Sequence, residues 1–250
     1  MQIAHPLIGS AIARHSTFQC TPLSPALRLH ATVRAMLRMT FGTPESARDA
    51  VARIRRIHDG VYGTIGSDAG RYRAGTDYSA HDPQLLTWVL VTLLDSVPLA
   101  YADLIAPLSE DERDTYCAES RSGVAPLGIP PGMVPTTSAE VRRRISAALG
   151  DGTLALTDET RALGRSLLSG PLMTMLEPAT RVTRRLTIGW LPPELRSAYG
   201  FEWSSRDAAS FERWCRLIRR VHAAAPERLT TWGIARRAEA RQIDVVNLHP

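Results

Sequence analysis

The chain has 250 residues, 44% hydrophobic and 22% charged, which can bury a sizeable core in one domain or two and excludes a disordered chain. All 30 of its Lys-plus-Arg residues are arginine, so a Schiff-base lysine, a pyridoxal phosphate attachment and a P-loop lysine are ruled out. The formal charge of +5 does not read as a nucleic-acid footprint: the arginines alternate with acids and few aromatics accompany them, the pattern of solvated helix faces.

Helix signals dominate from the start. The opening run MQIAHPLIGSAIARHS is too short and too interrupted for a signal peptide or an anchor. A helix is predicted from near Ser24, carrying Leu27, Leu29, Val33, Leu37 and Met39 and closed by Gly42. Thr43 then caps a helix that starts on Pro44 and runs through about Val61. After a Gly-rich turn, Asp82 and Pro83 repeat that start for an almost wholly apolar helix reaching Tyr101.

The run Leu85–Ala106 approaches membrane-spanning length, but Asp95, Pro98 and Asp103 interrupt it, and a buried core helix is expected rather than a membrane span. Capping boxes follow at Ser109/Glu112 and Thr137/Glu140, with a weaker version at Thr157/Thr160. The segment Pro126–Pro135 cannot be an ordinary helix and joins two helical halves; Leu191-Pro192-Pro193 marks a second break. Ser204 or Ser205 starts a helix with Phe211, Trp214, Cys215, Ile218 and His222 on or near one face. No stretch shows strand alternation with hairpin turns. The expected class is all-α, a single helical domain over residues 1–240 with a short tail at 241–250.

Cys20, Cys117 and Cys215 are odd in number and far apart, and no Cys-x-x-Cys or Cys/His pair has zinc spacing. Reduced thiols in a cytoplasmic compartment are expected. His5, His15 and His30 match no standard metal spacing, and no nucleophile elbow or dinucleotide fingerprint is present.

The chemistry candidates lie between Arg55 and Asp95. A neutral His58 imidazole can bind iron, donate to bound oxygen or act as a base; the structural alternative is a partly buried histidine hydrogen-bonded to a carbonyl. Arg55 is one helical turn from His58 and can share its face, where it would reach a propionate or an oxygenated intermediate, although the surface is the usual place for an arginine. The apolar helix with Trp88 must be packed on all sides or face an apolar ligand. Asp95 within it calls for a partner, with Arg55 and Arg56 as candidates.

Taken together, QIAHPLIGSAIARHSTF, RLHAT from Arg28, FGTPESARDAVARIRRIHDGVYG from Phe41, YSAHDPQLLTWVLVTLLDS from Tyr78, LSEDERDTYCAES from Leu108, LGIPPGMVP from Leu127 and LPPELRSAYGFEW from Leu191 form an ordered series. In order and spacing this series resembles the family of the fungal MpaB oxygenases and the bacterial rubber oxygenase (latex-clearing protein). The likeness spans about Gln2 to Tyr199 and a little beyond.

The resemblance implies a globin-like helical core with haem b held between helices, and dioxygen used on an apolar, often isoprenoid, small molecule. It implies a proximal histidine in a block that commonly reads Trp-Val-His, which here is Trp88-Val89-Leu90. Leucine offers iron no ligand, so His58 becomes the metal-binding candidate, with Arg55 and Trp88 beside the cofactor and His81 a poorer ligand. Relatives also carry an additional N-terminal segment before the QIAHP block. A haem-dependent oxygenase and a non-catalytic helical protein that binds an apolar small molecule or a partner chain both remain open.

Overall fold

A computed structural model describes residues 1–15, 24–169, 177 and 179–248. The chain is a predominantly α-helical single domain carrying one small hairpin. In chain order the helices are α1 (Pro6–His15), α2 (Ser24–Phe41), α3 (Pro44–His58), α4 (Pro83–Leu104), α5 (Glu110–Val124), α6 (Ser138–Gly150), α7 (Asp158–Ser169), α8 (Ala179–Gly189), α9 (Pro193–Ala198), α10 (Ser205–Ala224), α11 (Glu227–Thr230) and α12 (Gly233–Leu248). Two strands, β1 (Tyr62–Thr64) and β2 (Asp77–Ser79), lie between α3 and α4.

The caps behave as their residue types dictate. The Thr43 hydroxyl accepts the Ser46 N–H, and the Asp82 carboxylate accepts the Gln84 N–H at 2.7 Å, each just ahead of a proline at the first helical position. Ser109 and Glu112 form a complete capping box for α5, and Ser204 with Asp207 does the same for α10. At α6 the box is shifted by one residue: Thr137 accepts from Glu140, but the Glu140 carboxylate takes the N–H of Thr136. Thr157 and Thr160 satisfy each other's backbone reciprocally, and Thr160 is fully buried against the Gly9 face of α1.

Helix α4 is central and packs on α6 and α10, with α5 alongside. It is long and apolar enough to cross a bilayer by length and composition. Its Leu85, Trp88, Leu90, Val91 and Leu94 join Leu7, Ile8, Cys117, Val141 and Ile145 in the main core, as expected of a core helix. Pro98 sits inside α4 without ending it. Helix α1 lies on α7 and on the hairpin, while α2 packs on α3 and α12.

Two expectations are corrected. Helix α3 stops at His58 rather than Val61, because the chain turns at Asp59 and Gly60 to enter an antiparallel hairpin that the sequence did not reveal. In that hairpin Gly63 faces Tyr78, whose ring lies where a side chain on Gly63 would be; a Cβ there would come 2.8 Å from the phenol oxygen. Asp95 is not paired with Arg55 or Arg56. Burial pushes its carboxyl above the usual range, and the charges opposing that come from Arg142, the amino terminus and Arg113. Cys117 and Cys215 are free and buried; Cys20 lies outside the described residues.

Candidate functional site

The hairpin carries the chain from the end of α3 back to the start of α4, and so brings His81 beside His58. Their rings meet edge-on at 5.9 Å, and His81 Nε2 lies 2.8 Å from the Asp59 carboxylate. His58 is half-buried, and its Nδ1 is buried without a hydrogen-bond partner. Burial pulls its pKa below the usual histidine value, the neighbouring His81 adds to that, and Asp59 opposes it. The ring is therefore a neutral imidazole with a spare nitrogen at neutral pH.

Arg55 is exposed, and its Nη1 donates to the Pro126 carbonyl at 3.1 Å. That bond ties α3 to a 3-10 turn (Ala125–Leu127) after α5. Trp88 belongs to a second cluster of rings. It is buried in the second turn of α4, 6.3 Å from the His5 ring, with its indole N–H unpartnered. His5 Nε2 meets the Tyr72 hydroxyl at 3.1 Å, and its Nδ1 is also buried without a partner. Burial, reinforced by Arg71 and opposed by Asp82, pushes the His5 pKa down to about 4. His58 and Trp88 thus fall in two ring clusters, with no ring contact between them among the described residues.

His5 and Tyr72 went unrecognised as partners in the sequence. Their 67-residue separation and the irregular loop around Tyr72 give no periodic signal, and only the apolar setting of His5 hinted at burial. His15 bonds to Tyr78 instead, at 3.2 Å, and His30 is exposed on α2, so the three N-terminal histidines lie apart.

A cavity of about 310 Å³ opens further along α4, between Thr92, Ser96, Leu167, Leu191, Tyr199 and Phe201. The Thr92 and Ser96 hydroxyls are spent inside the protein. Thr92 donates to the Val89 carbonyl and accepts from Gln2, and Ser96 donates to the Thr92 carbonyl. What faces the cavity is mostly hydrocarbon. Gly164 lets the Tyr199 ring lie on α7; a Cβ there would come 2.4 Å from the ring.

Leu90 points elsewhere. It is two residues from Thr92, about 200° around the helix, and is 7% exposed within the main core. Neither Arg55, His58, Trp88 nor Leu90 lines the cavity.

Haem iron takes at least one axial ligand from the protein, most often a histidine nitrogen. His58 offers one, unpartnered and neutral. Helix α4 offers none at the expected place, because Leu90 is aliphatic and packed. Among the described residues the neutral, buried and unpartnered imidazole nitrogens are those of His58 and of His5, and of the two His58 is the one that is only half-buried. Among the described residues no cluster of three His, Cys, Asp or Glu side chains can hold a bare metal ion.

The family model described as ER-bound oxygenase mpaB/B′/rubber oxygenase, catalytic domain, matches residues 1–220. No curated protein and no solved structure matches the chain. The matched span takes in every helix from α1 to α9 and most of α10. The chain belongs to the mpaB/rubber oxygenase catalytic-domain family.

Proposed function

We propose that the protein is an oxygenase-type oxidoreductase that holds haem b through His58 and uses dioxygen on an apolar small molecule. The observation that carries this reading is the spare, buried Nδ1 of His58 in a chain of this family. Burial keeps the ring neutral, and in the tautomer that carries its proton on Nε2 the Nδ1 lone pair is available to iron. His81, held beside Asp59, packs edge-on against the His58 ring and restricts its rotation. Haem bound there would supply a site at which dioxygen is activated. The apolar wall of α4 keeps water from the interior, which suits a hydrocarbon-rich substrate.

A second reading rests on Leu90. Its packing in the core, and a cavity lined without any histidine, favour a protein that binds an apolar small molecule and has lost iron ligation. Haemin titration of the purified protein separates the two. The first reading expects a shifted Soret band in the wild type that His58→Ala removes. Uptake seen only in Leu90→His, with none in the wild type, overturns the first and leaves the second.

A further inference from the structure

We propose that a second cavity, at the start of α10, is a binding site for a ligand bearing a phosphate or diphosphate group. It is separate from the His58 cluster and does not depend on haem. The cavity measures about 410 Å³ and is lined by Arg185 of α8 and by Arg206, Asp207, Ser210 and Arg213 of α10. Arg206, Ser210 and Arg213 follow at i, i+4 and i+7, so one face of α10 presents two guanidinium groups and a hydroxyl to the same space. Arg185 closes the cavity from the neighbouring helix.

The charge balance is the central observation. Three guanidinium groups face one carboxylate, which leaves two positive charges at the lining. That carboxylate is already committed. Asp207 accepts the Ser204 N–H at 2.9 Å and the Ser204 hydroxyl at 2.8 Å as the helix cap, and it pairs with Arg185. Arg206 and Arg213 make no hydrogen bond or ion pair with any described residue, and the Ser210 hydroxyl has no partner either. Arg206 also sits in the first turn of a 20-residue helix, where the backbone dipole adds positive potential.

Guanidinium forks match the oxygens of a phosphoryl group two at a time, and a dianion offsets two unbalanced cations where a single carboxylate would leave one over. Arg185 is also held from outside the cavity. Arg185 lies over the Trp203 ring at 5.7 Å and Arg196 lies over it at 4.9 Å, while Trp203 packs on Phe211. The site is thus built on helices and fixed at one wall by aromatic contacts.

The full-length protein titrated calorimetrically with inorganic pyrophosphate, and separately with vesicles containing phosphatidic acid, tests this at physiological ionic strength. Saturable binding of pyrophosphate assigns a soluble ligand; saturable binding of the vesicles alone assigns a phosphomonoester headgroup. In either arm the double variant Arg206→Ala/Arg213→Ala should weaken binding by roughly tenfold or more, while Arg53→Ala on α3 leaves it unchanged. Arg206 and Arg213 are exposed and make no hydrogen bond or ion pair with a described residue, so the double variant should keep its helical circular dichroism and thermal midpoint. No saturable binding in either arm overturns the proposal. So does a double variant that binds as the wild type does, or an equal loss in Arg53→Ala.

Discussion

His5 is buried with its pKa pushed down to about 4, whereas in the unfolded chain it titrates near the usual 6.5. Above pH 6.5 both states hold the neutral ring, and its contribution to stability is constant. As the pH falls from 6.5 to 4 the unfolded chain gains a proton that the folded one refuses, so stability falls, by about 3 kcal/mol over that window. Urea denaturation at pH 7 and at pH 4.5 should show a steeper loss in the wild type than in His5→Gln; equal losses would show that the buried ring carries no such linkage. His58, lowered for the same first cause, acts in the same direction. At Leu90 the expectation is mechanical. The side chain is packed on all sides, so Leu90→Ala should cost about 2–5 kcal/mol in the same assay. A loss well under 1 kcal/mol would mean that the position is open enough to have housed a ligand.

Among the elements, the loop from Ile65 to Thr76 docks on the turn after α6 where Gly70 meets Gly152. Gly70 has φ +55, and a Cβ on it would stand 2.1 Å from the Gly152 carbonyl oxygen, the same oxygen that accepts the Arg71 N–H at 3.0 Å. Gly75 has φ +85 with nothing within 4 Å. Gly75→Ala should therefore cost only the backbone term, about 1–2 kcal/mol, and Gly70→Ala should cost clearly more. Equal midpoints for the two variants in chemical denaturation would contradict the close packing of these loops. Most helix starts were legible in the sequence because a capping side chain or a proline acts within one turn; Thr43-Pro44, Asp82-Pro83, Ser109 and Ser204 all serve as read. The hairpin was not legible, since three-residue strands are too short to show alternation and a twelve-residue loop separates them. The pairing of Asp95 with Arg55 or Arg56 failed for a related reason. Helix periodicity gives a face, not a neighbour, and Arg55 reaches the Pro126 carbonyl instead.

For the molecule as a whole, the family signal and the helical class were readable because ordered blocks and 3.6-residue periodicity survive in a single sequence. The site was legible only in part. His58 stood out through its basic helix, but its approach to His81 depends on the hairpin, and the His5–Tyr72 pair depends on a loop folding back across 67 residues. The separation of Trp88 from His58, and the placing of the apolar cavity opposite Leu90, are tertiary facts that no local pattern encodes. In the proposed function one nitrogen of His58 serves as the iron ligand, while Leu90 fills with hydrocarbon the position at which the family resemblance puts a histidine. Absorbance of the purified wild-type protein titrated with haemin, beside His58→Ala, tests that directly. A stoichiometric, shifted Soret band in the wild type that disappears in His58→Ala is the predicted result. A wild type that leaves the haemin spectrum unchanged, or a His58→Ala variant that binds as tightly as the wild type, would contradict it.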